Sequence, residues 1–300
     1  MKKNPEFTVE TKSELLAFLL ERFSSRSRNY VKGILKRGQV TVDGKVRKDY
    51  ALELRPGQRV EVLLQTAAAP KKLKFPVIYE DGDIIVIDKP AGMLPMATDK
   101  EHEDTAYHIL TDYVRSRDRH GRVFIVHRLD RETSGVMLLA KSERIKRALQ
   151  ENWDDNAIRR GYTAVVEGKP EPRERRIVSW LKQTKTLLMY SSGKNGDGKM
   201  AVTNYRTLQT SGKYSLLDIS LETGRKNQIR VHMKDIGHSV AGDKKYGALT
   251  DPFKRLGLHA SVLVVRHPFS GEEMRFESVV PHTFFEISAE NSGLAPEGRS

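Results

Sequence analysis

The sequence predicts an α+β protein in which a small α+β domain precedes a larger domain built on a mainly antiparallel, mixed sheet. Three observations support this prediction. Short apolar or alternating runs recur along the second part of the chain, few long helical repeats separate them, and a segment without periodicity interrupts the chain at 66–74. The expected domains are 1–65 and 75–288, with a linker at 66–74 and a flexible tail at 289–300.

The N-terminal domain is expected to pair two amphipathic helices with a small sheet. Leucines at helical spacing predict the first helix over 12–23, with Thr11 or Ser13 as its N-cap. The second helix is expected to begin near Ser27 and to end at Gly38, which tolerates a left-handed backbone. An Asp-Gly pair then predicts a tight hairpin, and a Pro-Gly pair separates two further extended runs.

The larger domain is expected to consist mostly of strands. The apolar run 84–87 predicts a buried strand that ends at Pro90 and a loop containing glycine. Further strands are predicted at VFIVHRL, GVMLLAKS, YTAVVEG, AVTNYRTLQT, YSLLDISLE, SVLVVRHP and MRFESVV. Helices are predicted at 104–117 and 143–152, which is too little helix for a doubly wound parallel sheet.

Composition narrows the possible functions. The chain has 52 Lys+Arg against 39 Asp+Glu, a formal charge of +13. This surplus favours a polyanionic partner such as nucleic acid, although a basic surface that aids solubility explains the charge alone equally well. The lack of cysteine excludes disulfides, thiolate catalysis and sulfur-bound zinc, and a cytoplasmic location fits it best. No apolar segment suits a membrane span or a secretion signal.

Basic residues concentrate in the second predicted helix and the hairpin after it, where nine stand against one acid between positions 22 and 48. Several share one helix face and can follow phosphates, although an ordinary exposed helix face is the alternative. The order of elements around SRSRNYVKGILKRGQVTVDGKV resembles the S4 RNA-binding domain over about residues 15–64. The resemblance implies contacts with structured RNA by Arg26, Arg28, Lys32, Lys36 and Arg37.

A polar segment, HRLDRETSG, lies between two apolar runs, and loops at strand ends often carry sites. Its Asp130, flanked by Arg128 and Arg131, would stay ionised and act as nucleophile or base, or else form a structural salt bridge. HRLDRETSGVMLLAKS closely resembles the signature of the RluA-type pseudouridine synthases. RRGYTAVVEG, GRKNQIRVHM, AGDKKYG and LHASVLVVRHP match further elements of that family in the same order.

The resemblance implies an enzyme that isomerises uridine to pseudouridine in structured RNA, most commonly large-subunit ribosomal RNA in members with this domain pair. It assigns Asp130 as the catalytic aspartate, Arg230 as its ion-pair partner and Tyr162 as the ring that stacks on the base. Arg128 is expected to help extrude the target nucleotide or to pair with phosphate. The remaining expected substrate contacts are Leu129, Lys89, Asn227, Gln228 and His232.

Two positions qualify this assignment. Asn227 stands where many members have histidine, and its amide can hydrogen-bond but cannot become positively charged. Lys89 and Pro90 resemble the family's first motif, a loop lining the cleft, although a plain turn is the alternative. No metal is expected, because ligand spacing is missing among the histidines of these regions, which are His127, His232, His259 and His267.

Uridine isomerisation breaks a base–sugar N–C bond and makes a C–C bond to the same base without net oxidation, so no cofactor is expected. It needs a carboxylate beside the ribose, a pocket for the detached base and donors for the uracil oxygens. Attack on the sugar carbon and removal of a ribose proton both stay open for Asp130.

The main rival is a non-catalytic S4-type RNA-binding or ribosome-assembly protein, which leaves Asp130, Tyr162 and Arg230 unexplained. A glycoside hydrolase that cleaves a nucleoside is a weaker alternative, because no second well-placed carboxylate is evident. The expected partner is structured RNA, with no membrane, and the expected oligomeric state is a monomer.

Overall fold

The computed structural model describes residues 4–36, 38–63, 73–97, 105–118, 120–151 and 153–289. The chain divides into two compact units, 1–70 and 71–300. Most of the predicted linker and all but the first residue of the predicted tail lie outside the described residues. No helix in the described ranges is long and apolar enough to cross a membrane.

The N-terminal unit places two short helices with two small antiparallel sheets around one apolar core. Its elements are β1 Glu6–Thr8, β2 Ser13–Glu14, α1 Leu15–Arg22, α2 Arg28–Lys36, β3 Val40–Val42, β4 Lys45–Val46, β5 Glu53–Leu54 and β6 Arg59–Val62. The strand order is β1-β6-β3-β4, and β2 pairs separately with β5. Apolar residues from both helices and from β3 and β6 form the core, which explains why such a short chain segment folds compactly.

Two predictions for this unit are confirmed and one is wrong. Gly38 has φ +69° after α2, and the β3–β4 hairpin turns through Asp43 and Gly44, both at positive φ, as its tight Asp-Gly turn predicts. The first helix begins at Leu15, later than expected, because Ser13 pairs with Leu54 in a strand. Its N-cap residue therefore makes no side-chain cap hydrogen bond.

The second unit contains the large sheet. Its elements are β7 Val77–Glu80, β8 Ile84–Lys89, α3 Ala106–Arg117, β9 Phe124–Ile125, β10 Ser134–Ala140, α4 Glu143–Glu151, α5 Trp153–Asn156, β11 Arg159–Glu167, β12 Glu174–Gln183, β13 Met189–Ser192, β14 Lys199–Thr210, β15 Tyr214–Leu221, α6 Gln228–Asp235, a 3₁₀ turn Lys244–Tyr246, β16 Leu258–Arg266, β17 Glu273–Glu277 and α7 His282–Ser288. The order is β13-β12-β14-β15-β11-β16-β10-β8-β7, with β17 on β16 and β9 on β10.

This sheet confirms the predicted α+β fold class. Among the described strands only β10 and β16 pair in parallel, and the other pairs in the sheet are antiparallel. The run VFIVHRL forms a strand only at Phe124–Ile125, so the HRLD segment is a loop rather than a strand. Arg128 and Asp130 of this loop pair with no strand and can therefore face a cleft.

Gly135 explains why the HRLD loop ends where it does. The parallel pair begins with Ser134 opposite His259 and Gly135 opposite Ala260. A Cβ at Gly135 would lie 2.1 Å from the Ala260 carbonyl oxygen, and the residue has φ +112°, so only glycine fits. This close approach fixes the start of β10 and therefore the loop that precedes it.

Candidate active site

The expected catalytic residues meet in one cleft of the second unit. The cleft has a volume of about 160 Å³ and collects side chains from the HRLD loop, from β11, from the loop after β15 and from α6. This is smaller than the roughly 300–1,000 Å³ of a pocket for a drug-sized ligand, so it suits a single base. The predicted residues that line it are Arg128, Leu129, Asp130, Tyr162, Asn227, Gln228 and Arg230.

Asp130 lies at the end of the HRLD loop and is partly exposed to the cleft. Its Oδ2 accepts a hydrogen bond of 2.5 Å from Asn227 Nδ2 and lies 3.7 Å from Arg230 Nη1. The neighbouring Arg131 instead donates its Nε hydrogen to the Gly92 carbonyl. Among the described residues, the cation within salt-bridge distance of Asp130 is therefore Arg230 and not a sequence neighbour.

The partly exposed His127 and the buried Leu129 anchor the loop that carries Asp130. The His127 ring stacks on Trp153 at 5.0 Å, and its Nε2 accepts the Leu138 N–H at 3.0 Å. Burial lowers the pKa of His127 to about 4, so the ring stays neutral and can act as that acceptor. Leu129 is 3% exposed and packs in the core beside Tyr162. The loop is thus held on both sides of the exposed Arg128.

Arg230 is fixed by a partner that the sequence did not predict. Asp243 accepts hydrogen bonds from Arg230 Nε and Nη2, both 2.6 Å, and the Asp243 side chain is wholly buried. Burial alone lowers the pKa of Arg230, but the bonded Asp243 outweighs it and the pKa lies above its ordinary value. This two-pronged contact leaves Nη1 directed towards Asp130.

Tyr162 lies on β11 at an irregularity in its pairing with β16. Its ring is partly exposed, lines the cleft and packs against two core clusters. Burial raises the pKa of Tyr162 to about 12, so the phenol is neutral at physiological pH. A neutral aromatic face beside the Asp130 carboxylate suits a flat, uncharged ring.

Lys89, predicted to contact substrate, does not line the cleft. Its side chain is fully buried, and its Nζ donates to the carbonyl oxygens of Pro90, Met93 and Arg131 at 2.8, 2.9 and 3.1 Å. Burial lowers the pKa of Lys89 to about 8. The ammonium therefore ties the loop after β8 to the backbone just beyond Asp130.

Replacing Lys89 by Met is expected to change how stability depends on pH. Lysine in an unfolded chain titrates near 10.4, so the folded protein loses this proton first. The contribution of Lys89 to the free energy of unfolding is therefore lowest below pH 8, and it rises by about 3 kcal/mol between pH 8 and 10.4. Urea unfolding of both proteins at pH 7.5 and 10 should show that rise in the wild type and lose it in Lys89→Met. If the free energy of unfolding changes with pH in the same way in the wild type and in Lys89→Met, Lys89 is not a buried ammonium group.

His232 and Gln228 are also not placed for substrate contact through their polar atoms. His232 is fully buried, with its nitrogens 2.8 Å from Ser179 Oγ and 2.9 Å from Thr203 Oγ1, and it does not line the cleft. Gln228 touches the cleft, but it is 2% exposed and its amide bonds to Thr223, Thr203 and backbone groups. Both positions stabilise α6 against the sheet.

The predicted RNA contacts of the N-terminal unit lie on or beside α2. Arg26, Arg28, Lys32 and Lys36 are exposed, and Arg37 lies outside the described residues. Within the described part of the chain, no group of three or more histidine and acidic side chains is arranged to hold a metal ion.

Sequence reasoning missed three buried positions that complete the site. Asp243 and Tyr246 belong to AGDKKYG, which matched the family pattern without receiving a role. Arg160 was missed as well: its Nε donates to the Leu221 carbonyl and its Nη2 to the Glu222 carbonyl, which fixes the loop at the rim of the cleft. The usable signal was the assignment of Arg230 to the site, because an arginine in a site shielded from water needs an acid as partner.

Comparison with known proteins agrees with this site. Residues 83–235 match the family model described as RNA pseudouridylate synthase, and residues 15–60 match the S4 domain. "Uncharacterized RNA pseudouridine synthase YlyB" of Bacillus subtilis is 35% identical over 93% of this chain and 94% of its own length. "Ribosomal large subunit pseudouridine synthase D" of Xanthomonas campestris is 34% identical over 88% of this chain and 85% of its own.

Solved structures share the fold. The structure titled Human RNA Pseudouridylate Synthase Domain Containing 4 covers 70% of this chain and 90% of its own, with a TM-score of 0.58 at 22% identity. The corresponding Domain Containing 1 structure covers 69% of this chain and 83% of its own, with a TM-score of 0.55 at 23% identity. The chain therefore belongs to the RNA pseudouridylate synthase family. It is an RNA pseudouridine synthase with an N-terminal S4 domain.

Proposed function

We propose that this enzyme converts uridines of large-subunit ribosomal RNA to pseudouridine in the cytoplasm, with Asp130 as the catalytic residue and without a cofactor. One observation carries the catalytic assignment: in a cleft of base size, the Asp130 carboxylate is held by Arg230 and Asn227 within reach of the Tyr162 ring. The names of several relatives, Ribosomal large subunit pseudouridine synthase D, support the choice of RNA.

The proposed reaction balances without an oxidant or reductant. The bond between N1 of uracil and C1′ of ribose breaks, and a bond between C5 and C1′ forms. The proton on C5 leaves, and N1 takes a proton from solvent. Asp130 acts at the sugar, by attack on C1′ or by removing the proton on C2′, and Arg230 keeps the carboxylate oriented during either step.

The detached base must turn without leaving. The Tyr162 face holds it by stacking, which contributes about 1–3 kcal/mol per base and tolerates rotation of the ring. Arg128 is exposed at the edge of the same cleft. There it fills the space of the extruded nucleotide or pairs with a neighbouring phosphate, and either contact offsets part of the cost of flipping.

The direct test is conversion of uridine in large-subunit ribosomal RNA transcribed with tritium at C5 of uracil. Because C5 loses its hydrogen, the purified enzyme is expected to release tritium to water in amounts equal to the pseudouridine mapped afterwards. If pure protein binds the RNA and releases no tritium, the rival binding-only function is correct. Release of free uracil would favour nucleoside cleavage instead.

Neutralising the basic face of α2 is expected to weaken RNA binding rather than chemistry. Arg28→Gln, Lys32→Gln and Lys36→Gln together remove three exposed charges. Each lost phosphate contact lowers the salt slope of log Kd by about 0.7–0.9, so the triple variant should lose about 2 in slope while kcat at saturating RNA stays unchanged.

The matched control removes three exposed charges from the catalytic unit, with Lys169→Gln, Lys213→Gln and Arg275→Gln. An equal loss of slope in both variants contradicts a specific role for α2. We also propose that the enzyme is a monomer, and sedimentation equilibrium showing a dimer at assay concentration would refute this.

A further inference from the structure

The two oxygens of the Asp130 carboxylate have different surroundings. Oδ2 accepts the Asn227 amide hydrogen at 2.5 Å and lies 3.7 Å from Arg230 Nη1, whereas Oδ1 meets no donor among the described residues. The side chain is 23% exposed and lines the cleft. We propose that Asn227 is a positioning residue that holds Oδ2, and that Oδ1 is the oxygen that acts on the ribose. This deepens the proposed function and rests on it.

The direction of every hydrogen bond behind Asp130 follows from chemistry. An ionised carboxylate only accepts, so the Asn227 group facing it is the NH₂ and the amide oxygen faces away. That oxygen accepts the Tyr246 hydroxyl hydrogen at 3.1 Å. The Tyr246 oxygen in turn accepts the Met189 N–H at 3.2 Å. A one-way relay of three hydrogen bonds thus runs from a strand backbone to Oδ2 and prevents the amide from flipping.

Tyr246 ties this relay to the support of Arg230. The ring is 2% exposed, lies 5.0 Å from the Arg230 guanidinium carbon, and its backbone N–H bonds to Asp243 Oδ1 at 3.2 Å. Burial raises the pKa of the Tyr246 phenol, which therefore stays a neutral donor at working pH. The Asn227 amide and the Arg230 guanidinium, which hold Oδ2, are therefore supported by the same buried cluster of Tyr246 and Asp243.

The backbone at Asn227 dictates which variants are informative. Asn227 has φ +54° and ψ +21°, the left-handed region, where Asn, Asp and Gly are tolerated and other residues are strained. Asn227→Gly removes the amide and Asn227→Asp replaces it, both without backbone strain. Tyr246→Phe leaves Asn227 in place but removes the hydroxyl that orients it.

The first measurement is the kinetics of pseudouridine formation on one RNA substrate. Asn227→Gly is expected to lower kcat about 10- to 100-fold, the effect of one hydrogen bond to a charged group, with KM and RNA Kd unchanged within about two-fold. Tyr246→Phe is expected to give a smaller loss of kcat in the same direction. A raised KM with normal kcat would mean that Asn227 contacts substrate, and would overturn the proposal.

The second measurement is the pH profile of Asn227→Asp divided by that of the wild type. A carboxyl at position 227 shares one proton with Asp130, which raises the upper pKa of the pair above that of an isolated carboxyl. Below that pKa the new carboxyl donates to Oδ2, and above it donation ends. The ratio should therefore be highest at acid pH and fall as pH rises. A flat ratio, or one that rises with pH, would overturn the proposal.

Taking the ratio removes titrations common to both proteins. Titratable groups that interact electrostatically with Asp130 include Lys89, Tyr162, Arg230, Lys245 and Tyr246. Circular dichroism and urea unfolding of each variant check that it is folded. If the wild type forms no pseudouridine, the proposed function fails; if the wild type is active and Asn227→Gly matches its kcat, only the present inference fails.

Discussion

Asp130→Asn is expected to abolish pseudouridine formation while RNA binding and fold persist. The substitution keeps the size of the side chain and its contact distance to Arg230, but it removes the negative charge that acts at the sugar. Loss of a positioned nucleophile or base lowers kcat by about 10³-fold or more. Single-turnover tritium release on saturating RNA measures the loss, and filter binding measures the Kd.

Glu132→Gln is the matched control for this substitution. Glu132 lies two residues further along, its side chain is about half exposed, and it contacts Arg131 rather than the cleft lining. Its turnover should equal that of the wild type. If Asp130→Asn retains turnover near the wild-type rate, the catalytic assignment is incorrect whatever the RNA affinity.

Arg230→Met is expected to produce the largest loss of stability. It leaves the Asp243 carboxylate buried without its guanidinium partner, a change that costs about 3–5 kcal/mol. Adding Asp243→Leu removes the unpaired charge and should restore most of the free energy of unfolding. Activity should stay lost in both variants, because Asp130 no longer has its cation.

Arg176→Met provides the control for these unfolding experiments. Arg176 forms an ion pair with both oxygens of Glu222 at 2.8 Å, as Arg230 does with Asp243, but both side chains are about half exposed. Its loss should cost within about 1 kcal/mol. Equal destabilisation by Arg176→Met and Arg230→Met would contradict the importance of burial, and recovery of activity in the double variant would contradict the role of Arg230.

The sequence predicted those parts of the fold that depend on local pattern. The β3–β4 turn follows from an Asp-Gly pair, and β8 and β10 follow from apolar runs that are buried on both faces. The strands β12 and β13 were not predicted. β12 carries charged residues at its start and is exposed along one face, so ERRIVSWLKQ has no clear apolar alternation, and its pairing with β14 decides its structure.

The site, like the fold, could be predicted only in part from the sequence. Motif resemblance located Asp130, Tyr162 and Arg230, and the structure places all three at one cleft. It did not separate residues that touch the cleft from residues that support it. His232 and Lys89 belong to motifs, yet their polar atoms bond to groups inside the protein. Burial depends on long-range packing between α6, the loop after β8 and the sheet, which no local pattern specifies.

The sequence also did not identify which residues pair with the charged side chains of the site. The Arg230–Asp243 contact joins α6 to the 3₁₀ turn, and Asn227 reaches Asp130 across 97 positions of sequence. A single sequence indicates that a buried arginine needs an acidic partner, but it does not show which of the 39 Asp and Glu residues is that partner.

A crystal structure of the Asp130→Asn variant with an RNA stem-loop containing its target uridine is the decisive test of catalysis at Asp130. We expect a uridine extruded into the cleft against Tyr162, with C1′ or C2′ within about 3.5 Å of the position 130 side-chain atom that replaces Oδ1. A uridine that remains stacked in the stem, or a ribose bound away from position 130 with the cleft empty, would contradict it.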